Sequence, residues 1–204
     1  MANGKVKWED FETELKQREQ AIVSMLPQHV AKQRFINSAI AAVKQTPDLL
    51  TATPRSLFAA ITKSAQDGLL PDGREGVITL YKEKQKDNSW LNVAQWNPMT
   101  FGLRKRAREL DEVIVNAQVV HENDKFVRHE GDDPHIEHHP APLGQPRGPM
   151  IGAYAIIRNE TTILHREVMD AAQIEAVRAQ SKAPDSLMWK KFTEEAWRKT
   201  VIRR

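Results

Sequence analysis

The spacing of apolar residues changes at Gly68, and this change limits the fold more than any other feature of the sequence. Before Gly68, apolar residues recur every three or four positions, which predicts helices over residues 8–25, 28–45 and 54–67. After it, two runs alternate in the manner of β-strands, at residues 76–84 and 89–96, around a turn-forming Lys-Asp-Asn. The chain therefore combines a helical N-terminal part with a sheet.

Similar signals continue to the end of the sequence. Asn97 and Pro98 predict the start of a helix over residues 98–110. Asp170 predicts a helix cap, and Asp185 or Ser186 begins a last helix. Short β-like runs lie between these helices, at residues 113–120, 125–130, 135–139, 152–158 and 161–167. The order is helices, sheet, helix, sheet, helices, which indicates an α+β fold rather than an alternating α/β one.

Length and composition exclude several classes of protein. A chain of 204 residues suits one domain, or one domain with an appended arm. The absence of cysteine excludes disulfides and thiolate metal sites, and it fits a cytoplasmic protein. No apolar run approaches the roughly 18–20 residues that a bilayer span needs, so we expect no membrane partner. The N-terminus lacks the apolar stretch of a secretory signal.

Positive charge is concentrated in two basic islands, residues 101–108 and 180–204, each with a net charge of +4. Because the whole chain carries only +3, the remaining residues carry −5. Local concentrations of cations attract polyanions, above all nucleic acids. A solvated helix face is the alternative that charge alone leaves open.

Within the first island, Arg104 and Arg108 lie four positions apart, with Lys105 beside them. Like charges at this spacing repel on a helix, and an anion such as a phosphate backbone relieves the repulsion. Arginines that extend into water are the alternative. Two aromatic residues lie nearby. We expect Phe101 in the core, whereas Trp96 fits either the core or stacking on a base.

Signals for catalysis are weak. The segment GLLPDGRE at residues 68–75 has two glycines five apart, but it lacks the Lys-Ser/Thr of a phosphate-binding loop, and Pro71 removes a backbone donor. The carboxylates Asp124, Asp132 and Asp133 are interpreted as turn formers. No nucleophile and base stand in a recognisable motif. We therefore expect no enzyme, no ATP and no other cofactor.

Four histidines cluster between positions 129 and 139: His129, His135, His138 and His139. On a strand, His135 and His139 share one face while His138 takes the other, and no cysteine is available. We assign no metal site for these reasons. A metal-dependent nuclease that uses this His/Asp-rich region remains an alternative, as does a structural module that only binds nucleic acid.

Five motifs occur in a fixed order along the chain. They are TPRSL at 53–57, AQDGLLPDGREG at 65–76, VVHENDKFVRHEGDDPHIEHHP at 119–140, GAYAIIR at 152–158 and MWKKFTEEAWRKTVIRR at 188–204. This ordered set resembles the RecT family of phage-type recombinases, which are ATP-independent single-strand annealing proteins. The resemblance runs from about residue 28 to the end. Family members usually continue into a small C-terminal region, which we expect to be absent here.

The resemblance implies an antiparallel β-sheet packed against helices. Residues 1–50 would form an N-terminal helical arm for subunit contacts, and residues 51–204 the DNA-binding core. The implied activity is binding of single-stranded DNA and annealing of complementary strands through a duplex intermediate, by a homo-oligomer that forms a ring or helical filament. A phage exonuclease and a host single-strand binding protein are the implied partners, the bacterial cytoplasm is the implied location, a phage or prophage the source, and Mg²⁺ a modulator of DNA binding.

Both the charge pattern and the family resemblance indicate candidate DNA contacts. The family's basic groove maps onto Arg104, Lys105 and Arg108, and its terminal basic motif onto Lys199, Arg203 and Arg204. Three further residues complete the candidate set: Arg74, Lys82 and Trp96.

Overall fold

A computed structural model describes residues 6–204, apart from the side chains of residues 110 and 111. Its contacts separate two compact units, Met1–Glu109 and Leu110–Arg204. The division into an arm and a core at residue 50 stays a prediction, and the first five residues of that arm lie outside the described part.

The first unit consists of helices followed by a hairpin. Its elements are α1 (Trp8–Val23), α2 (Lys32–Gln45), a 3₁₀ turn (Pro47–Thr51), α3 (Pro54–Gln66), β1 (Gly76–Lys84) and β2 (Trp90–Pro98). The helix α4 (Thr100–Asp111) follows directly after β2. Strands β1 and β2 pair antiparallel, as the alternation of apolar residues predicts.

One hydrophobic core holds this unit together. Phe11 of α1, Phe35 of α2, Ile61 of α3 and Ile78 of β1 are all buried within it. The Phe11 ring also stacks against Phe58, with ring centroids 5.7 Å apart. Helices α1 and α2, which the resemblance places in an arm, thus share a core with α3 and the hairpin.

The second unit is built around a three-stranded antiparallel sheet. Its elements are β3 (Ile114–His121), β4 (Lys125–His129), β5 (His135–His139), β6 (Met150–Arg158), β7 (Ile163–Asp170), α5 (Ala171–Ala179), α6 (Leu187–Lys191) and α7 (Thr193–Ile202). The sheet order is β3-β6-β7, and β4 pairs with β5 in a separate hairpin. A second core joins the sheet to α5 and α7 through Ala117, Ala153, Ile174 and Trp197.

The α+β prediction is confirmed, with two local corrections. Asn97 and Pro98 do not cap α4, because both pair with β1 as the last residues of β2. The Asn97 amide donates to the Thr79 hydroxyl at 2.6 Å instead. The last predicted helix is two helices, since the backbone leaves helical geometry at Phe192.

Candidate nucleic-acid interface

Helix α4, which carries the first basic island, lies very close to the loop before β1. A Cβ atom on Gly102 would stand 2.1 Å from the carbonyl oxygen of Glu75, so only glycine fits at this position. The same carbonyl accepts a hydrogen bond from the Met99 N–H at 2.8 Å. These contacts fix how the helix is rotated, and therefore which cations reach solvent.

Lys105 faces the protein. Its ammonium group donates to Oε1 of Glu75 at 2.9 Å, and the Glu75 side chain is only 7% exposed. The other carboxylate oxygen of Glu75 accepts from the Leu70 N–H at 2.9 Å. A buried carboxylate needs such a partner, because an uncompensated charge in the interior is costly. Lys105 therefore neutralises Glu75, and its positive charge is not available in full to an outside anion.

Asp67 holds Arg106 and Trp96 in a similar way. Its Oδ1 accepts from Nη1 of Arg106 at 3.1 Å, and its Oδ2 accepts from the indole N–H of Trp96 at 2.8 Å. The Trp96 ring is 7% exposed. A Cβ on Gly76 would lie 1.9 Å from this ring, so the indole packs directly over the strand. In this conformation, Trp96 belongs to the first core.

Arg104 and Arg108 differ from Lys105 and Arg106, which are both paired with carboxylates. No carboxylate among the described side chains lies within ion-pair distance of either guanidinium. With Phe101, Lys105 and Glu109, they line a shallow groove of about 290 Å³. Nε of Arg104 is buried and makes no hydrogen bond with any group that the structure describes. Among the described side chains, the cations of the island that have no carboxylate partner therefore lie on one flank of α4.

Phe101 lies beside this flank and is 43% exposed, so the prediction that it belongs to the core is wrong. Because Gly102 faces the loop before β1, the preceding residue projects roughly 100° away around the helix. The guanidinium of Arg74 stands over the Phe101 ring, 4.0 Å from its centroid. Lys82 is exposed on β1. Phe101 thus lines the groove of Arg104 and Arg108, and the candidate Arg74 lies next to it through its contact with this ring.

The second island lies in the other unit, on and around α7. Two of its cations are paired, Arg198 with Glu194 at 2.6 Å and Lys190 with Asp185 at 3.2 Å. Lys199 is in the last turn of α7 and half-buried, and Arg203 and Arg204 follow the helix at exposed positions. The assignment of these three residues to DNA binding stays a prediction.

The sequence does not predict the main polar centre of the second unit. Asp124, interpreted as a turn former, has a side chain that is 0% exposed. Its carboxylate accepts from Nε of Arg147 at 3.0 Å and from the backbone N–H groups of His121 and Ala141 at 2.9 and 3.0 Å. Nε2 of His138 lies 3.1 Å from it. Arg147 comes from a Pro- and Gly-rich loop 23 residues away, and no local pattern indicates that pairing.

These contacts shift two pKa values. The Arg147 hydrogen bonds, with help from the backbone donors, hold the pKa of Asp124 far below its usual range although burial opposes this. The pKa of Arg147 is raised by the same pair. The pair ties the turn after β3 to the loop before β6 and leaves no unpaired charge at its centre.

A second groove, of about 270 Å³, lies beside the hairpin of β4 and β5. Arg128, His135, His165 and Arg166 are among the residues that line it. The guanidinium of Arg128 pairs with Glu130. Nε of Arg166 is buried without a hydrogen-bond partner among the described groups.

Comparison with known proteins identifies the class of protein to which these sites belong. A family model described as the RecT family matches residues 33–204, and the chain belongs to this family. The curated Protein RecT of Escherichia coli (strain K12) is 31% identical over 186 residues, which cover 90% of this chain and 68% of that protein.

Membership has direct consequences for function. RecT-family proteins act in DNA recombination by annealing single strands, and they are annealing proteins rather than classical enzymes. Among the described residues, no helix is both long and apolar enough to cross a membrane.

Proposed function

We propose that this protein binds single-stranded DNA through phosphate contacts to the flank of α4 and anneals complementary strands without ATP. The observation that carries the proposal is the pair Arg104 and Arg108, which line one groove and have no carboxylate partner among the described side chains. Each phosphate that they neutralise releases counterions, which favours binding.

The surroundings of the groove support a single strand rather than a duplex. Phe101 is exposed beside the arginines, and stacking of a base on an aromatic ring contributes about 1–3 kcal/mol. Only an unpaired base can offer its face to such a ring. Phosphate contacts carry no sequence information, so binding is independent of sequence and leaves the pairing edges open.

Annealing then requires no bond chemistry. Two polyanions repel, and a cationic surface lowers this barrier. Correct pairing gains about 1.4 kcal/mol per base-pair step, so matched strands are retained while mismatched contacts dissociate.

The remaining features of the proposal concern assembly. One groove accommodates only a few nucleotides, so a row of subunits in a ring or filament extends it. Lys199, Arg203 and Arg204 add phosphate contacts from the second unit. A phage exonuclease would supply the single strands, and a host single-strand binding protein would compete for them.

The test replaces Arg104 and Arg108 together by alanine and compares this variant with Arg34→Ala/Arg55→Ala. The control removes the same two charges from exposed positions on α2 and α3. Binding of a labelled oligonucleotide is measured by fluorescence anisotropy at several salt concentrations. We expect the first variant to lose at least tenfold in affinity and the slope of log K against log salt to become shallower by roughly 1.4, since each single-strand phosphate contact contributes about 0.7. The control variant should keep the affinity and the salt slope of the unaltered protein.

An annealing assay separates the alternatives. Labelled complementary oligonucleotides are mixed with protein, without ATP, with and without EDTA, and both duplex formation and strand length are followed. Faster pairing at constant strand length supports annealing. Strand shortening that EDTA stops would indicate the nuclease instead, and binding without faster pairing would indicate a structural module. Unchanged annealing by the folded Arg104→Ala/Arg108→Ala variant would contradict the assignment of the groove.

A further inference from the structure

The register of the β4–β5 hairpin brings together three metal-ligating side chains. His129 pairs directly with His135 across the two strands, and Glu137 lies two residues further along β5. Directly opposed residues and residues two apart share a face, so all three side chains project from the same side. The sequence predicts no metal site here because it groups His135 with His139 on one strand and does not reveal the pairing register.

The ligand atoms of these side chains converge. Nε2 of His129 and Nε2 of His135 lie 3.8 and 3.7 Å from the same oxygen, Oε1 of Glu137. The three ligand atoms all lie within 4.8 Å of one another. In a tetrahedral zinc site with bonds of about 2.1 Å, ligand atoms stand roughly 3.4 Å apart. Small side-chain rotations therefore bring this set to coordination distance.

The orientation of His135 favours a metal ion. Its Nδ1 lies 2.9 Å from the backbone carbonyl oxygen of Asp133. A carbonyl only accepts hydrogen bonds, so Nδ1 carries the proton and donates it. In the neutral ring, the lone pair of Nε2 then faces the carboxylate of Glu137, and a cation between them removes the repulsion. A metal-binding histidine commonly donates its other N–H to a carbonyl in this way.

The rings of His129 and His135 are stacked, with centroids 4.0 Å apart and an interplanar angle of 18°. Neutral imidazole is the form that binds metal. Imidazole with one carboxylate suits Zn²⁺ and related transition ions, whereas Mg²⁺ prefers oxygen ligands alone.

The geometry points to a Zn²⁺-class site formed by His129, His135 and Glu137, with its fourth position open to solvent. The bound ion links the end of β4 to the start of β5. The opposite end of the hairpin is already anchored, because His138 contacts Asp124 and Tyr154. A two-stranded hairpin is marginally stable alone, so a metal link at its outer end stabilises it.

The test uses the chain of 204 residues without a tag, after dialysis against EDTA. Titration with ZnCl₂ is followed by calorimetry, and titration with CoCl₂ by visible absorption, which reports tetrahedral coordination. We expect one Zn²⁺ per chain, with no competition from millimolar Mg²⁺. His129→Ala and His135→Ala should each weaken binding at least tenfold, and Glu137→Gln should weaken it while preserving side-chain shape.

His139→Ala is the matched control, since it removes an exposed histidine from the same face of the hairpin but outside the group. It should bind Zn²⁺ like the unaltered protein. Circular dichroism establishes that each variant is folded, and Glu137→Gln provides the test if a histidine variant is not. Absence of Zn²⁺ binding, or unchanged binding by a folded His129→Ala/His135→Ala variant, would overturn the proposal.

Discussion

At the scale of single residues, the contacts of each cation decide what it does within the first basic island. Lys105 and Arg108 lie three positions apart on α4 and line the same groove, yet only Lys105 donates to the buried Glu75. In the sequence, Lys105 and Arg108 each count as one positive charge and cannot be distinguished. Only the position of Glu75, thirty residues earlier, separates a lysine with a structural contact from an arginine available to an anion.

The clearest prediction at this scale concerns Asp124. Asp124→Asn should lower the free energy of unfolding at neutral pH by about 3 kcal/mol, because it leaves the charge of Arg147 uncompensated in a partly buried position. Urea unfolding at pH 7 measures this loss. Asp132→Asn, at an exposed position of the neighbouring turn, is the control and should change stability little.

The same variant should also show a distinct pH dependence. The pKa of Asp124 is lowered in the folded protein, whereas an unfolded aspartate titrates near 3.9. Below about pH 4 the unfolded state binds a proton that the folded state does not, so this stabilisation is present above that pH and declines as pH falls. The difference between Asp124→Asn and the unaltered protein should therefore narrow between pH 5 and about pH 3. A constant difference would mean that the carboxylate is not held ionised by Arg147.

At the scale of helices and strands, local sequence patterns predicted an element correctly where its hydrogen-bond partners are close in sequence. Thr53 followed by Pro54 predicted the start of α3, and Thr53 does accept from the Ser56 N–H. Local patterns predicted the wrong element where a strand that is distant in sequence pairs with the same residues. Asn97 and Pro98 have the composition of a helix cap, but pairing with β1 keeps them in a strand.

The candidate site shows the same division. The island of cations and its helix could be predicted, because charge and helical spacing are local properties. The burial of Trp96 and the exposure of Phe101 could not be predicted. Trp96 is buried by its contacts with Asp67 and Gly76, whereas the exposure of Phe101 depends on how α4 is rotated against the loop before β1. Gly102 fixes this rotation, and a glycine within a helical pattern does not by itself reveal what it contacts.

Gly102→Ala tests this account of α4. Alanine favours a helix over glycine by about 1 kcal/mol, but here its Cβ would stand 2.1 Å from the backbone oxygen of Glu75. We expect a net loss of about 1–3 kcal/mol in unfolding free energy, because the helix must move away from the loop. Weaker binding of single-stranded DNA should accompany this loss, as the groove moves with the helix.

Ala107→Gly on the same helix provides the comparison for the preceding variant. It should cost about 1 kcal/mol from helix propensity alone. If Gly102→Ala instead stabilised the protein by a similar amount, the close packing of α4 on Glu75 would be wrong.

At the scale of the whole molecule, the two units have separate hydrophobic cores. The first core draws its residues from α1 to β2, and the second from β3 to α7. Each basic island belongs to a different unit, so each has its own source of rigidity. The phosphate contacts proposed for Arg104 and Arg108 therefore depend on the first core, and those of Lys199, Arg203 and Arg204 on the second.

Ile174→Ala separates the two cores experimentally. Ile174 is 0% exposed in the second core, and truncating such a residue costs about 2–5 kcal/mol. Hydrogen exchange should accelerate in the backbone amides of residues 110–204, by a factor that corresponds to this loss, while amides of α2 and α3 keep their protection. Phe35→Ala, which truncates a fully buried residue of the first core, is the reciprocal variant and should produce the opposite pattern. Equal acceleration in both units for either variant would mean that the two cores unfold as one cooperative structure.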